Sequence, residues 1–310
     1  MRIHEAIARD GESLSFEFFP PGTPEAEGEL FKTIDELKIW APTYVSVTYG
    51  AGGSTLTNTM HIVSRVKEET AITPMPHLTC IAQTRQEVRQ ILDTYLSMGV
   101  MNVLALRGDP PKKTIIPPES ERYCYAVDLV KLARSIDNAF SVSVAVYPEG
   151  HMEASSFEQD LEYTRQKIEA GAHFAITQMF FDNRYYYDFM DKAAAAGIKI
   201  PIIPGIMPVT DIARLARFSR MCGATLPGGL VHRIEDAASA EHARQIGLEF
   251  TITQCEDLLA NGIRYFHFYT LNQSGPVTAV LRALRAFQEG LPAGQGLARL
   301  ARESPNPTAS

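Results

Sequence analysis

Glu17 stands between Phe16 and Phe18 in "LSFEFFPPGT", where a carboxylate is costly unless something uses it. If the run is a strand, alternation puts Ser13, Ser15 and Glu17 on one face and Leu14, Phe16 and Phe18 on the other. The phenylalanines then pack outward, and an apolar setting raises the carboxyl pKa. Glu17 is therefore expected to stay protonated near neutrality and to serve as a general acid. The competing reading is a structural carboxylate paired with an arginine such as Arg107. A second carboxylate, Asp109 in "LALRGDPP", has Arg107 within reach as a neutralising partner, or simply starts a turn before Pro110. His77 in "MPHLTC" has no second ligand at metal-binding spacing, so a cofactor contact or a hydrogen-bonded histidine is expected there, and no metal. Asp160, Tyr163 and Lys167 recur at spacings of three and four, a helix stripe that either faces water or grips a sugar or phosphate. The glycines of "GAGGS" (50–54) follow a strand as a phosphate loop would, without forming GxGxxG.

Eight short β-branched or aromatic runs can position these groups, at 13–19, 44–49, 75–80, 102–108, 141–147, 173–179, 200–205 and 264–270. Amphipathic segments separate them, and "SMGVMNV", "EAGAHFA", "AAGIKIP" and "ANGIRYF" each place a glycine between helix and strand. That repeat predicts a single (β/α)8 barrel of the α/β class, with a doubly wound open sheet as the rival. The long stretch from Gly205 to Arg264 predicts extra helices before the last strand. Residues 1–290 are expected to form the catalytic domain and 291–310 a frayed tail. Barrel active sites form at the C-terminal strand ends, and here those ends carry Glu17, Thr48-Tyr49, His77, Arg107-Gly108-Asp109, Tyr147, Gln178 and Tyr269.

With 45% apolar and 21% charged residues, the 310-residue chain has the balance of a soluble globular protein. A net charge of -7 argues against nucleic acid or an anionic membrane as partner. The four cysteines lie far apart, as reduced thiols of a cytoplasmic protein would, and the N-terminal residues lack a signal-peptide core.

Taken in order, "SFEFFPP", "VSVTYGA", "PHLTC", "ALRGDPP", "YPEGH", "AITQMFFD", "IIPGIMPV" and "FHFYTLN" resemble the motifs of the methylenetetrahydrofolate reductase family. The resemblance runs from about residue 13 to 272, and is to the bacterial form that consists of the catalytic domain alone. It implies an FAD-containing barrel that reduces 5,10-methylenetetrahydrofolate to 5-methyltetrahydrofolate with NADH or NADPH, by a ping-pong course, commonly as a homo-oligomer. By the same resemblance Glu17 is the general acid and Asp109 lies near flavin and pterin. Thr48, Tyr49, Ala51, His77, Arg107, Gly108, Tyr125, Ala126, Tyr147, His151, Ala154, Asp160 and Lys167 would hold FAD. Gln178 would orient pterin or nicotinamide, and Phe218 would touch both substrates in turn. Tyr163 and Gln166 stand where the family has Asn and Arg, Arg214 where it commonly has Gln, and Gln273 where it commonly has Arg. The alternatives are a related flavin barrel oxidising a cyclic amine such as proline, and a folate-binding or electron-transfer subunit that needs a partner.

Overall fold

The computed structural model describes residues 1–49, 54–110, 116–136 and 138–288. Its strands are β1 (Ser13–Phe18), β2 (Tyr44–Val47), β3 (Pro74–Thr79), β4 (Asn102–Leu106), β5 (Ser141–Val146), β6 (Phe174–Thr177), β7 (Ile202–Ile203), β8 (Gly205–Ile206) and β9 (Tyr265–Tyr269). Helix α1 (Ile3–Asp10) precedes β1. Between the strands run α2 (Pro24–Lys38), α3 (Ser54–Glu69), α4 (Arg85–Ser97), α5 (Ala126–Ser135), α6 (Phe157–Glu169) and α7 (Asn183–Ala195). The predicted extra helices are α8 (Ile212–Cys222), α9 (Gly228–Glu235) and α10 (Ala240–Ala260), and α11 (Ser274–Gln288) follows β9. Local signals set the helix ends. Thr84 and Glu87 form a capping box on α4, and Gly99, Gly171, Gly197 and Gly262 take positive φ where the sequence places helix stops.

All strand pairs are parallel, in the order β7-β6-β5-β4-β3-β2-β1-β9-β8. The two ends of that ladder, β7 and β8, are consecutive in the chain, so the sheet closes on itself as a barrel. The seventh expected strand is thus split at Pro204. Its first half pairs with β6 and its second with β9, while Pro204, lacking an amide proton, only accepts, from His267 N–H at 3.0 Å. The seam is tight. Gly205 N donates to Thr177 Oγ1 at 2.9 Å, and a Cβ at Gly205 would meet the Tyr269 ring at 2.7 Å.

Phe16 and Phe18 point outward as expected, buried among Leu30, Ile34, Val45, Val47 and Phe268 in the layer between barrel and helices. Inside the barrel, Tyr44, Met75, Leu104, Phe174, Ile176 and Ile203 pack with Ile3 and Ile7 of α1. Helix α1 therefore plugs the end of the barrel opposite the candidate site, and Ile3 N–H is fastened to Asn102 Oδ1 at 2.8 Å. A separate apolar cluster joins α8, α9 and the start of α10 to Met179, Phe181, Met207 and Val209. None of the described helices is long and apolar enough to cross a membrane.

Candidate functional site

Parallel pairing sets Glu17 beside Ser46 and Tyr269, and Ser15 beside Tyr44 and His267. The Glu17 side chain is only 18% exposed, and its Oε2 lies 3.3 Å from His77 Nε2, 3.4 Å from His267 Nε2 and 3.4 Å from Ser46 Oγ. His77 Nε2 is buried and, despite that proximity, has no hydrogen-bond geometry to any partner among the described residues. The environment corrects two expectations. Burial does push the Glu17 carboxyl upward, but the nearby His77 and His267 imidazoles more than reverse it and hold the group down at about 2, so it is ionised rather than protonated near neutrality. Nor does Arg107 pair with it.

The Arg107 guanidinium forks onto Glu153, with Nη2–Oε1 at 2.9 Å, and this pairing raises its pKa. Its ion pair is thus with Glu153, while the Asp109 charge lies close enough to add to the rise. Asp109 is exposed at the rim, one residue past Gly108, whose φ of +82° lets the backbone press against Thr79. Glu17, Tyr49, His77, Arg107, Gly108, Asp109, Tyr147, His151, Gln178 and Phe218 all line one cavity of 490 Å³ at the C-terminal barrel mouth. Ten sequence-predicted residues thus converge on one place, as the strand-end argument requires.

A second cavity of 470 Å³ runs outward between α5 and α6, lined by Tyr125, Ala126, Ala154, Asp160 and Lys167. It shares Leu106, Arg107, Ala145, Tyr147 and His151 with the first, so the two are chambers of one cleft. The α6 stripe does not simply face water. Asp160 is 3% exposed and accepts from His151 N–H at 3.2 Å, and burial raises its pKa against the pull of Lys167. Lys167 Nζ donates to the Ala145 carbonyl at 2.7 Å, and burial brings its pKa down to about 8. Tyr147 meets His151 edge-on with ring centroids 4.5 Å apart. Tyr125 and Tyr163 stay 64% and 49% exposed, two large rings left open beside the outer chamber. Thr48 lines neither chamber. Its N–H and carbonyl are occupied by Phe18 and Thr59, at 2.8 and 3.1 Å. Ala51 lies outside the described residues.

The profile of the methylenetetrahydrofolate reductase family matches residues 2–285. The chain belongs to that family. A 5,10-methylenetetrahydrofolate reductase of Salmonella typhimurium is 39% identical over 88% of this chain and 90% of its own, and that of Escherichia coli K12 is 38% identical with the same coverage. A methylenetetrahydrofolate reductase (NADH) of Arabidopsis thaliana is 34% identical, and there the match spans 92% of this chain and 50% of the plant enzyme. Among solved structures, a Clostridium thermocellum protein described as binding two copies of 5-methyl-5,6,7,8-tetrahydrofolic acid superimposes with TM-score 0.60 over 89% of this chain and 95% of its own. At 14% identity that likeness is one of fold.

Within this cleft the most informative residue absent from the sequence-based site is His267. It is fully buried, with Nδ1 2.8 Å from Ser15 Oγ and Nε2 facing Glu17. A signal was present: in "RYFHFYT" His267 alternates with Tyr265 and Tyr269, as Glu17 does with Ser15. Applied to this strand, the argument that sent Glu17 inward sends His267 inward too. Glu153 was equally missed, because an acid partner for Arg107 from the next βα loop leaves no mark in local spacing.

Proposed function

We propose that this chain reduces 5,10-methylenetetrahydrofolate to 5-methyltetrahydrofolate, with FAD in the two-chambered cleft and NADH or NADPH as electron donor. The observation that carries the reading is the gathering of Glu17, Asp109, Gln178 and Phe218 around one barrel mouth in a chain of this family. The C. thermocellum protein's methyltetrahydrofolate ligand and the NADH in the plant relative's name point the same way.

The cleft fits FAD by its own features. Its two joined chambers suit a long dinucleotide, and it combines the cations Lys167 and Arg107, the open rings of Tyr125 and Tyr163, and the unpartnered His77 Nε2. Arg107 and Lys167 would hold the phosphates, and Tyr125, Ala126, His151, Ala154 and Asp160 would line the outer part. When bound, the flavin supplies reversible hydride transfer between nicotinamide and folate. Around it, Phe218 and Gln178 would orient whichever flat ring enters the mouth. Both substrates would use that mouth in turn, giving ping-pong kinetics. Asp109 places a negative charge where cationic character develops on the folate. Glu17 is the group positioned to move a proton to the nitrogen whose bond to the one-carbon unit breaks.

Purified protein, reconstituted with FAD, should show a flavin absorption band. That band should bleach with a reduced nicotinamide under anaerobic conditions and recover when methylenetetrahydrofolate is added. Failure to bind flavin, or bleaching without recovery on folate, would refute the reading.

A further inference from the structure

We propose that Glu149 is a positioning residue for the substrate ring: its carboxylate holds the turn after α8, and through Ser219 that turn fixes Phe218 at the barrel mouth. The proposal rests on the reductase reading and deepens it by naming what keeps the ring-contacting helix in place.

Glu149 belongs to "YPEGH" in the loop between β5 and α6, two residues past Tyr147. That loop is braced along its length. Gly150, at a φ of +84°, donates its N–H to the Tyr147 carbonyl at 3.0 Å. His151 N–H goes to Asp160 Oδ2 at 3.2 Å, and Glu153 N–H to His151 Nδ1 at 3.1 Å. The Glu153 carboxylate is held in turn by Arg107. Glu149 thus projects from a loop whose next residues are tied to Arg107 and to α6.

Both Glu149 carboxylate oxygens lie 3.0 Å from the Thr225 amide nitrogen, in the turn between α8 and α9. Met152 of the same loop rests on Gly223, where an added Cβ would meet its Cγ at 2.7 Å. From Thr225 the contacts run inward. The N–H groups of Gly223 and Ala224 both reach the Ser219 carbonyl, the second at 3.1 Å, and the Ser219 hydroxyl donates to the Ala224 carbonyl. Ser219 is buried and adjoins Phe218, which lines the mouth together with Met221 and Cys222. The cavity therefore meets α8 through the same turn of helix that Glu149 ties down. Glu149 itself lines neither chamber, so it reaches the bound ring only through α8.

The rest of the seat of α8 is apolar, with Leu215 and Ala224 packed among Met179, Phe181, Met207 and Val209. Apolar burial resists separation but has no direction of its own, so the hydrogen bonds at Thr225 and Ser219 set where the end of the helix stops. Without Glu149, a ring entering the mouth has to order that end itself. Binding energy is then consumed in the ordering, which raises the half-saturating concentration and leaves the limiting rate in place.

The test uses the full chain reconstituted with FAD, each half-reaction being followed by anaerobic stopped flow over a range of substrate concentrations. Glu149→Ala should raise the half-saturating concentrations of both methylenetetrahydrofolate and the nicotinamide roughly tenfold, with limiting rates within about twofold of the parent's. Glu149→Gln keeps an acceptor oxygen and should stay within about threefold of the parent. Titration with FAD should give the parent's affinity in both variants. Ser219→Ala removes the inner link, so it should raise the same two concentrations and add little on top of Glu149→Ala. Four results would each overturn the proposal: unchanged half-saturation in Glu149→Ala, equal impairment in Glu149→Gln, FAD affinity falling as far as substrate affinity, or full additivity with Ser219→Ala. Hydrogen exchange on the same chains gives a readout independent of turnover. The amides of Gly223, Ala224 and Thr225 should lose protection in Glu149→Ala and keep it in Glu149→Gln, and protection indifferent to both would also overturn it. If the parent neither binds flavin nor reduces folate, the reductase reading fails instead, and the exchange comparison still decides whether Glu149 holds the turn.

Discussion

Glu17 shows how far an ionisable side chain departs from what its neighbours in sequence suggest. The flanking phenylalanines face away from it, and what it meets are two imidazoles from β3 and β9. Glu17→Gln keeps the shape and removes the proton. We expect flavin reduction by the nicotinamide to survive, while the folate half-reaction falls roughly 10²–10⁴-fold. Anaerobic stopped flow on the two half-reactions measures this, and equal loss in both would assign Glu17 a structural role. Lys167 gives a second prediction at this scale. In the open cleft it is charged below about 8 and neutral above, so affinity for the anionic dinucleotide should weaken as pH rises through that value. Fluorescence titration of the apoprotein with FAD, alongside Lys167→Met with its pH dependence flattened, checks it. Glu17, Asp109 and most of the cleft-lining residues were legible in the sequence, because strand ends and helix stripes declare themselves locally. Their charge partners were not, since His267 is 250 residues from Glu17 and Glu153 is 46 from Arg107.

Among the elements, the plug helix α1 has the least announced role. It is a short N-terminal segment whose Ile3 and Ile7 close the barrel floor, and its His4 stacks on His173 with ring centroids 3.9 Å apart. His173 Nδ1 accepts from Val142 N–H at 3.0 Å, so protonation there would set donor against donor. Burial, with Arg134 and His4 nearby, brings His173 down to about 4, and burial likewise lowers His4 against the pull of Glu5. Both histidines therefore bind protons more readily unfolded than folded. Stability should be intact above the ordinary histidine value of about 6.5 and decline as pH falls from there toward about 4. Urea midpoints across that window should show the decline, with the α1 amides the first to lose protection from hydrogen exchange. His4→Phe, which keeps the stack with one titrating group fewer, should make the slope shallower; an unchanged slope would remove the pair as its cause.

For the whole molecule, the closing seam and the cleft belong to one construction. The barrel shuts only because the chain changes pairing partners at Pro204, and Tyr269 ties the seam by donating to the Thr177 carbonyl at 2.7 Å. The same Tyr269 lines the mouth, so the closure helps to form the cavity. Ligand bound across β4, β5, α5 and α6 should therefore stabilise the folded chain as a whole. With FAD at about a hundredfold excess over Kd, the gain should be about 2.7 kcal/mol. Thermal unfolding with and without FAD reads this directly, and a midpoint indifferent to FAD would argue against the cleft as its site.

The sequence by itself determined the barrel, its helix stops, the extra helices before the last strand and the ring of polar strand ends. Those are periodic or local, written within a turn or a strand. Tertiary structure decided the split of the seventh strand, the plug at the barrel floor and the protonation state of Glu17. Each of these depends on which distant segments become neighbours when the sheet closes. Pairing partners, and the electrostatic field they create, are properties of the closed cylinder rather than of any one stretch of it.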